Sequence, residues 1–512
     1  MPSPLDNVAS WTARRAEHAG ARPALCDDEL RLDATALDER CARAAGWLAA
    51  RGVRRGERVA LLLGNRTAFL ELLLGAARLG AIAVPLNARL APPEVRELLD
   101  DAAPRVLCVE ADAEALARAA LAGARRPPPV VLAVGGRPDA YEAALAGVEP
   151  RRAVEPVDPD DPMILMYTSG TTGVPKGALL PHRKTLYNAL NAQLFFELTA
   201  RDRVLVPLPL FHSFGLKILS LPALYAGAEV ILQGRFHAAR VWETVAERGI
   251  TYLGGVPTQF QALYDALLAA PPGGYDLSTL RFLFTAGAPI PVELIRAFEA
   301  RGLVLKQGFG QTETSILCCL EAADAVRKAG SVGRPVFHVD LRIVRPHTLA
   351  RPVAEWEDAV AGETGEIVAR GPITMLGYWD RPEATAETLR EGWLLTGDLG
   401  SADAEGYVTL SGRSRDLYIS GGENVYPAQV EAAYAEHPAI REIAVVGVPD
   451  PRFGEVGRAY VVLAPGAALD PEALRRFGRE RLAGFKIPTE FVAVPALPRT
   501  ETGKVQKFAL PR

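Results

Sequence analysis

An apolar run of strand type, Met163-Ile164-Leu165-Met166, leads straight into the sequence Tyr-Thr-Ser-Gly-Thr-Thr-Gly-Val-Pro-Lys-Gly over residues 167–177. A chain with this junction has to bring a buried strand to the mouth of a loop built almost wholly from hydroxyls and glycines. Glycine lets the backbone turn where a Cβ would clash, so successive N–H groups can point at one anion. Thr168, Ser169, Thr171 and Thr172 add hydroxyl donors around Gly170, Gly173 and Gly177, and Lys176 adds a compact positive charge. Such a loop holds a polyphosphate. A solvated surface loop can share the composition, but rarely the strand before it and the Pro-Lys-Gly after it. A Walker A loop needs Gly-Lys followed by Ser or Thr. Here Lys176 follows Pro175, and Gly503-Lys504 is followed by Val505.

The loop sits between two stretches of alternating elements. On its N-terminal side the patterns predict strands over 59–63, 81–84 and 105–109, with helices over 68–79 and 92–102. After residue 204 a second alternation has strands at 230–232, 252–253, 281–285 and 304–306, with helices over 239–248 and 291–301. Strands separated by helices imply a parallel sheet covered on both faces. Beyond residue 331 short strands with Gly/Pro turns (341–344, 365–368, 407–410) predict an antiparallel or barrel-like part. After residue 415 a last unit has helices and strands of its own.

A chain of 512 residues exceeds one compact core. A net charge of −4 gives no field for nucleic acid or an anionic membrane. The five cysteines (Cys26, Cys41, Cys108, Cys318, Cys319) are odd in number and lack metal spacing, so they read as reduced core thiols of a cytoplasmic protein. The most apolar region, 59–88, is interrupted by Arg66, Glu71 and Arg78, whereas a bilayer span needs about 20 mostly apolar residues. Residues 1–15 carry no apolar run after their charges, so no secretory signal is expected.

The 167–177 segment resembles the phosphate-binding signature of the adenylate-forming enzymes, which include acyl-CoA synthetases, firefly luciferases and the adenylation domains of peptide synthetases. The likeness recurs in order down the chain. Pro209-Leu210-Phe211-His212 resembles the segment that borders the acyl site, where the histidine ring gates access for the carboxylate. Alone, His212 reads as a hydrogen-bonded core residue. Gly287-Ala288-Pro289 resembles the loop lining one side of the adenine. Gly308-Phe309-Gly310-Gln311-Thr312-Glu313 matches the motif whose aromatic stacks on adenine, whose threonine touches the α-phosphate and whose glutamate holds Mg²⁺. Its residues alone read also as a strand-to-helix turn. Asp398 in Thr396-Gly397-Asp398 corresponds to the ribose ligand, and Arg413 to a ribose or phosphate contact. Arg415 falls at the hinge, where relatives carry Lys or Asp. Gly421-Gly422-Glu423 resembles the loop that turns towards the thiol tunnel, and Lys486 a phosphate contact for CoA. Lys504, in the Thr-x-x-Gly-Lys terminus, corresponds to the lysine that neutralises charge as the carboxylate attacks.

The resemblance implies an α/β fold: a large N-terminal AMP-binding domain, residues 1–413, of two α/β subdomains plus a β-rich barrel-like subdomain, and a small mobile α+β C-terminal domain, residues 414–512. It implies ATP, Mg²⁺ and coenzyme A as cofactors, with Lys504, Thr168, His212 and Glu313 as catalytic residues. The acyl pocket would be bordered by His212, Ser213, Lys217, Gly255, Val256, Gly287, Gly308 and Leu317. Small and apolar residues there point first to a medium- to long-chain fatty acid, with an aromatic acid as the alternative. Lys217 either faces the pocket, favouring a dicarboxylic acid, or snorkels outwards. The expected activity is acid–CoA ligation through an acyl-adenylate. A carrier-protein-loading enzyme and a non-catalytic acyl-nucleotide binding protein are the rivals. The expected partners are the acid and CoA, without nucleic acid or an integral membrane segment, and a homodimer is the assembly considered.

Overall fold

The structure, a computed structural model, describes residues 2–136, 139–168, 175–270, 274–288, 290–413, 416–420, 423–482, 484–499, 503 and 505–511. The chain divides into two compact units, 1–340 with 369–394, and 341–368 with 395–512.

The first unit is built on two sheets. One has seven strands in the order Gly377–Tyr378, Lys176–Pro181, Pro162–Thr168, Ile82–Pro85, Arg58–Leu62, Val106–Glu110 and Val130–Val134. From Pro162–Thr168 outward the pairs are parallel, while the two pairs at the Lys176–Pro181 strand are antiparallel. The second sheet has nine strands, and its parallel centre runs Leu305–Gln311, Phe282–Thr285, Tyr252–Gly255, Arg203–Val206, Glu229–Leu232 and Pro23–Cys26. Their uninterrupted apolar runs follow from burial on both faces. Val59, Ala60, Leu61 and Leu62 are fully enclosed.

Helix Thr67–Arg78 lies between strands of the first sheet and is buried on every side, which accounts for its apolar sequence. Its charges are buried with it and paired. Glu71 meets Arg40 at 2.9 Å and accepts from Tyr141 Oη at 2.7 Å. Arg78 pairs with Asp38 and donates to Thr12 Oγ1 at 3.1 Å. No helix among the described residues is long and apolar enough to cross a membrane. All five cysteines are free and buried.

Two local features shape this region, the first departing from the strand-to-helix reading of residues 308–313. Residues 308–311 belong to the strand Leu305–Gln311, which turns back antiparallel into Ser315–Cys319, so no helix follows. The glycines permit it: a Cβ at residue 310 would stand 1.8 Å from Ser315 O. After His212 the chain forms a π-helix, Phe214–Ser220, a rare element frequent at functional sites. Gly215 fits there because a Cβ would stand 2.7 Å or less from the Leu208 and Pro209 carbonyl oxygens.

In the second unit the strands Gly365–Arg370, Trp393–Ala402 and Val408–Arg413 neighbour one another in one sheet, the last two antiparallel. Its C-terminal part is a separate mixed sheet around the long hairpin Ile440–Asp450/Gly454–Leu463, packed on helices Pro427–Ala435 and Pro471–Arg479. Tyr418, Val430, Tyr434, Val461, Leu474 and Phe491 form its core.

Candidate active site

The paired strands Pro162–Thr168 and Lys176–Pro181 bring Thr168 opposite Lys176 at the loop end of their hairpin. Residues Ser169, Gly170, Thr171, Thr172 and Gly173 between them lie outside the described residues. Strand Gly377–Tyr378 pairs alongside and delivers Tyr378, whose ring centroid is 5.3 Å from Lys176 Nζ. Tyr378 Oη donates to Glu313 Oε1 at 3.0 Å, and Thr168 Oγ1 lies 3.5 Å from the same oxygen. Met375 N–H fixes the Glu313 carbonyl at 2.8 Å. A hydroxyl, an ammonium and a carboxylate thus converge from segments nearly 150 residues apart: Thr168 and Glu313 are separated by 145 positions.

This donor set fits Mg²⁺. Among the described residues no group of three or more His, Cys, Asp or Glu gathers to cage a metal. One carboxylate beside hydroxyls suits a hard cation that takes its other ligands from phosphate and water. Glu313 would hold it, and the ion would supply charge neutralisation at the phosphates.

Glycines 254, 255 and 308, expected around the acyl pocket, pack closely against aromatic rings. A Cβ at Gly308 would meet Phe284 Cζ at 2.6 Å, one at Gly254 would meet Phe214 Cε2 at 3.0 Å, and one at Gly255 would meet Phe260 Cε2 at 3.2 Å. Phe214 and Phe284 stand edge to face with centroids 5.7 Å apart. Gly287 has φ +91° and Val256 Cγ1 3.8 Å from its Cβ position, and Ala288 follows it, while Pro289 lies outside the described residues. Phe309 and Leu317 are buried in the 305–311 and 315–319 strands. Gln311 N–H is capped by Thr314 Oγ1 at 3.0 Å, with Thr312 in the turn between. His212 lies two residues before the π-helix: its ring is 4.5 Å from that of Phe211, and its carbonyl accepts from Leu216 N–H at 3.2 Å, with Ser213 partly buried next to it. Gly308→Ala is expected to push the Phe284 ring, lower the melting temperature of this unit by a few degrees and raise KM for the acid, since overpacking costs roughly 1–3 kcal/mol. Thermal unfolding and acid saturation curves check it.

Lys217 does not snorkel. It is 1% exposed, its Nζ donates to Thr185 Oγ1 at 3.0 Å, and its carbonyl accepts from Asn188 Nδ2 at 2.5 Å. Burial lowers its pKa to about 7. Lys184, on the same helix His182–Phe196, is fully enclosed, and burial pulls its amine well below the ordinary lysine value.

In the second unit Asp398 and Arg413 face each other across paired strands, Oδ1 to Nε at 2.8 Å. The turn before them is fixed: Thr396 Oγ1 donates to Ile367 O at 2.6 Å and accepts from Asp398 N–H at 3.0 Å, and Gly397, at φ +66°, donates to Glu366 Oε1 at 3.1 Å. Asp398 is thus held in a fixed orientation, with Oδ1 against the Arg413 guanidinium. Lys486 Nζ donates to Gln429 Oε1 at 2.8 Å. Arg415, Gly421, Gly422 and Lys504 lie outside the described residues, as does the side chain of Glu423.

Sequence reasoning missed Tyr378 and Lys184. Tyr378 reaches Glu313 only because its two-residue strand pairs with Lys176–Pro181, and no local pattern announces that. Lys184 sits in an ordinary helical stretch, where a lysine normally reads as solvated.

The AMP-binding enzyme family model matches residues 12–379, and the AMP-binding enzyme C-terminal domain matches 429–504. A feruloyl-CoA synthase from Amycolatopsis sp is 41% identical over 503 residues, covering 98% of this chain and 97% of the relative. An indoleacetate–CoA ligase from Aromatoleum aromaticum is 41% identical over 514 residues, covering 98% and 96%. The crystal structure of ATP-bound MatB from Rhodopseudomonas palustris superposes with a TM-score of 0.90 at 30% identity, covering 99% of this chain and 98% of that one.

Proposed function

We propose that this chain, which belongs to the AMP-binding enzyme family, joins an aryl or aryl-alkanoic acid to coenzyme A. It is an AMP-forming acid–CoA ligase and uses ATP, Mg²⁺ and CoA. The relatives carry the substrate reading, and the aromatic surroundings of the expected acyl pocket agree with it. Glycines at 254, 255 and 308 pack against the Phe214, Phe260 and Phe284 rings, an aromatic neighbourhood that suits a ring-bearing acid better than a flexible chain. The ring-bearing acids in the names of two 41%-identical relatives support the same reading.

In this proposal the carboxylate attacks the α-phosphorus of ATP, the acyl-adenylate forms and pyrophosphate leaves. The CoA thiol then attacks the acyl carbonyl, giving the thioester and AMP. Lys176, Thr168 and the 169–173 loop hold the phosphates, Glu313 holds the metal, and Asp398 with Arg413 holds the ribose. Lys504 stabilises the charge that builds as the carboxylate adds. His212 borders the carboxylate's path. The protein's contribution is positioning and preorganised charge. The 413/414 division, the Arg415 hinge, the CoA contacts at Gly421, Gly422, Glu423 and Lys486, and a cytoplasmic setting belong to the proposal as well.

The test is pyrophosphate release with MgATP against hydroxycinnamic, indolic, fatty and dicarboxylic acids, with and without CoA. We expect kcat/KM for the aryl acids to exceed that for decanoate by roughly tenfold or more, the discrimination available to a shaped apolar pocket, with CoA-dependent AMP formation. Preference for the fatty acids would overturn the aryl assignment and restore the longer-chain expectation. Release without thioester would put a carrier protein in the place of CoA.

A further inference from the structure

Lys184 is completely enclosed and makes no salt bridge among the described residues, although the Glu313 carboxylate acts on it through space. Burying an amine is costly, and a methionine would fill the space without that cost. What the amine does is specific. Its Nζ donates to Ser315 Oγ at 2.6 Å and to the Ile373 carbonyl at 2.7 Å. These acceptors belong to the two segments that build the surroundings of Glu313. Ser315 closes the turn after Glu313 and holds φ at +60°, a left-handed conformation that a residue with a Cβ adopts only when its neighbours enforce it. Ile373 precedes Met375, whose N–H holds the Glu313 carbonyl at 2.8 Å, and Tyr378, whose hydroxyl holds the Glu313 carboxylate at 3.0 Å.

We propose that Lys184 is the positioning residue for the Glu313 carboxylate, tying Ser315 to Ile373 and thereby setting how tightly the enzyme takes MgATP. The inference rests on Glu313 as the metal-holding residue of the proposed function. An apolar residue at 184 would pack but would leave both acceptors unpaired, and the turn free to carry Glu313 away from the Thr168 and Tyr378 hydroxyls.

The experiment measures binding of a fluorescent ATP analogue to the full chain, with Mg²⁺ and with EDTA. The variants are Lys184→Met, Ser315→Ala, Glu313→Gln and the double variant Lys184→Met/Glu313→Gln. Lys184→Met is expected to weaken binding of the magnesium form by about tenfold, the usual cost of losing a group that orients a metal ligand. Metal-free binding stays unchanged. Ser315→Ala shifts binding in the same sense, and it carries the test should Lys184→Met fail to fold. The double variant binds no more weakly than Glu313→Gln alone. Equal loss in both nucleotide forms, or additive losses in the double variant, would overturn the role of Lys184. A Glu313→Gln variant that keeps the full magnesium effect would overturn the metal assignment itself, a separate and recognisable result.

Discussion

Lys504→Ala is expected to lower the rate of acyl-adenylate formation by roughly a hundred- to a thousandfold, the scale seen when one preorganised charge-stabilising donor is removed from a reacting centre. ATP binding is expected to stay nearly intact. The attack of one anion on the phosphorus of another concentrates negative charge where water is excluded, and there a fixed ammonium acts on the transition state more than on the bound reactants. Lys504 stands in Thr500-Glu501-Thr502-Gly503-Lys504, the terminus that the resemblance assigns to this task. Pyrophosphate release in the absence of CoA, compared with nucleotide binding, checks the prediction. Thioester formation from supplied acyl-adenylate should keep most of its rate, since that step does not need the lysine's charge at phosphorus. A variant that adenylates at the parental rate would remove Lys504 from the mechanism.

Periodicity and turn chemistry made much of the fold legible. The helix expected over 92–102 is Pro92–Ala102, and the one expected over 239–248 is Ala238–Arg248. Both carry one apolar stripe facing a core, the pattern that a 3.6-residue repeat reveals. Helix Thr67–Arg78 was legible from the same repeat. Its charges excluded a membrane span, and the structure buries them against Arg40, Tyr141 and Asp38. Local sequence could not show where residues 308–311 lead, because glycines serve a strand and a turn equally well, and the choice is made by the distant Phe284 and by Ser315. Helices Ser10–Ala19 and Ala34–Ala50 went unread because their alanine-rich sequences give a weak contrast between faces. The candidate site divides in the same way. Thr168, Lys176, Glu313, Asp398 and Arg413 stand in contiguous motifs and could be named from them. Tyr378 and Lys184 join the site only through tertiary contacts.

Lys217→Met is expected to make the first unit more stable, by roughly 2–4 kcal/mol at pH 7, within the range seen when buried charges are replaced by apolar side chains of similar volume. Burial lowers the amine's pKa from 10.5 to about 7, and desolvation is the cause. Between those two pH values the unfolded chain holds a proton that the folded chain has given up, so stability rises with pH, by up to about 1.4 kcal/mol per pH unit. Above 10.5 neither state is charged and the penalty is gone; below about 7 both are charged and the penalty is complete. Methionine removes this pH-dependent term. It also removes the hydrogen bond to Thr185 Oγ1 at 3.0 Å, a loss of about 1 kcal/mol that the gain exceeds. Denaturant midpoints for this unit at pH 7, 8, 9 and 10 test the sign and the slope together. The parent should gain stability over that range, and the variant should gain less, starting from a higher value at pH 7. Lys184 and His182 feel the Lys217 charge, so the difference between the two proteins reports Lys217 together with its effect on these neighbours. Equal slopes in the two proteins would mean that Lys217 keeps its proton on folding, held by a partner that the Thr185 contact alone does not provide.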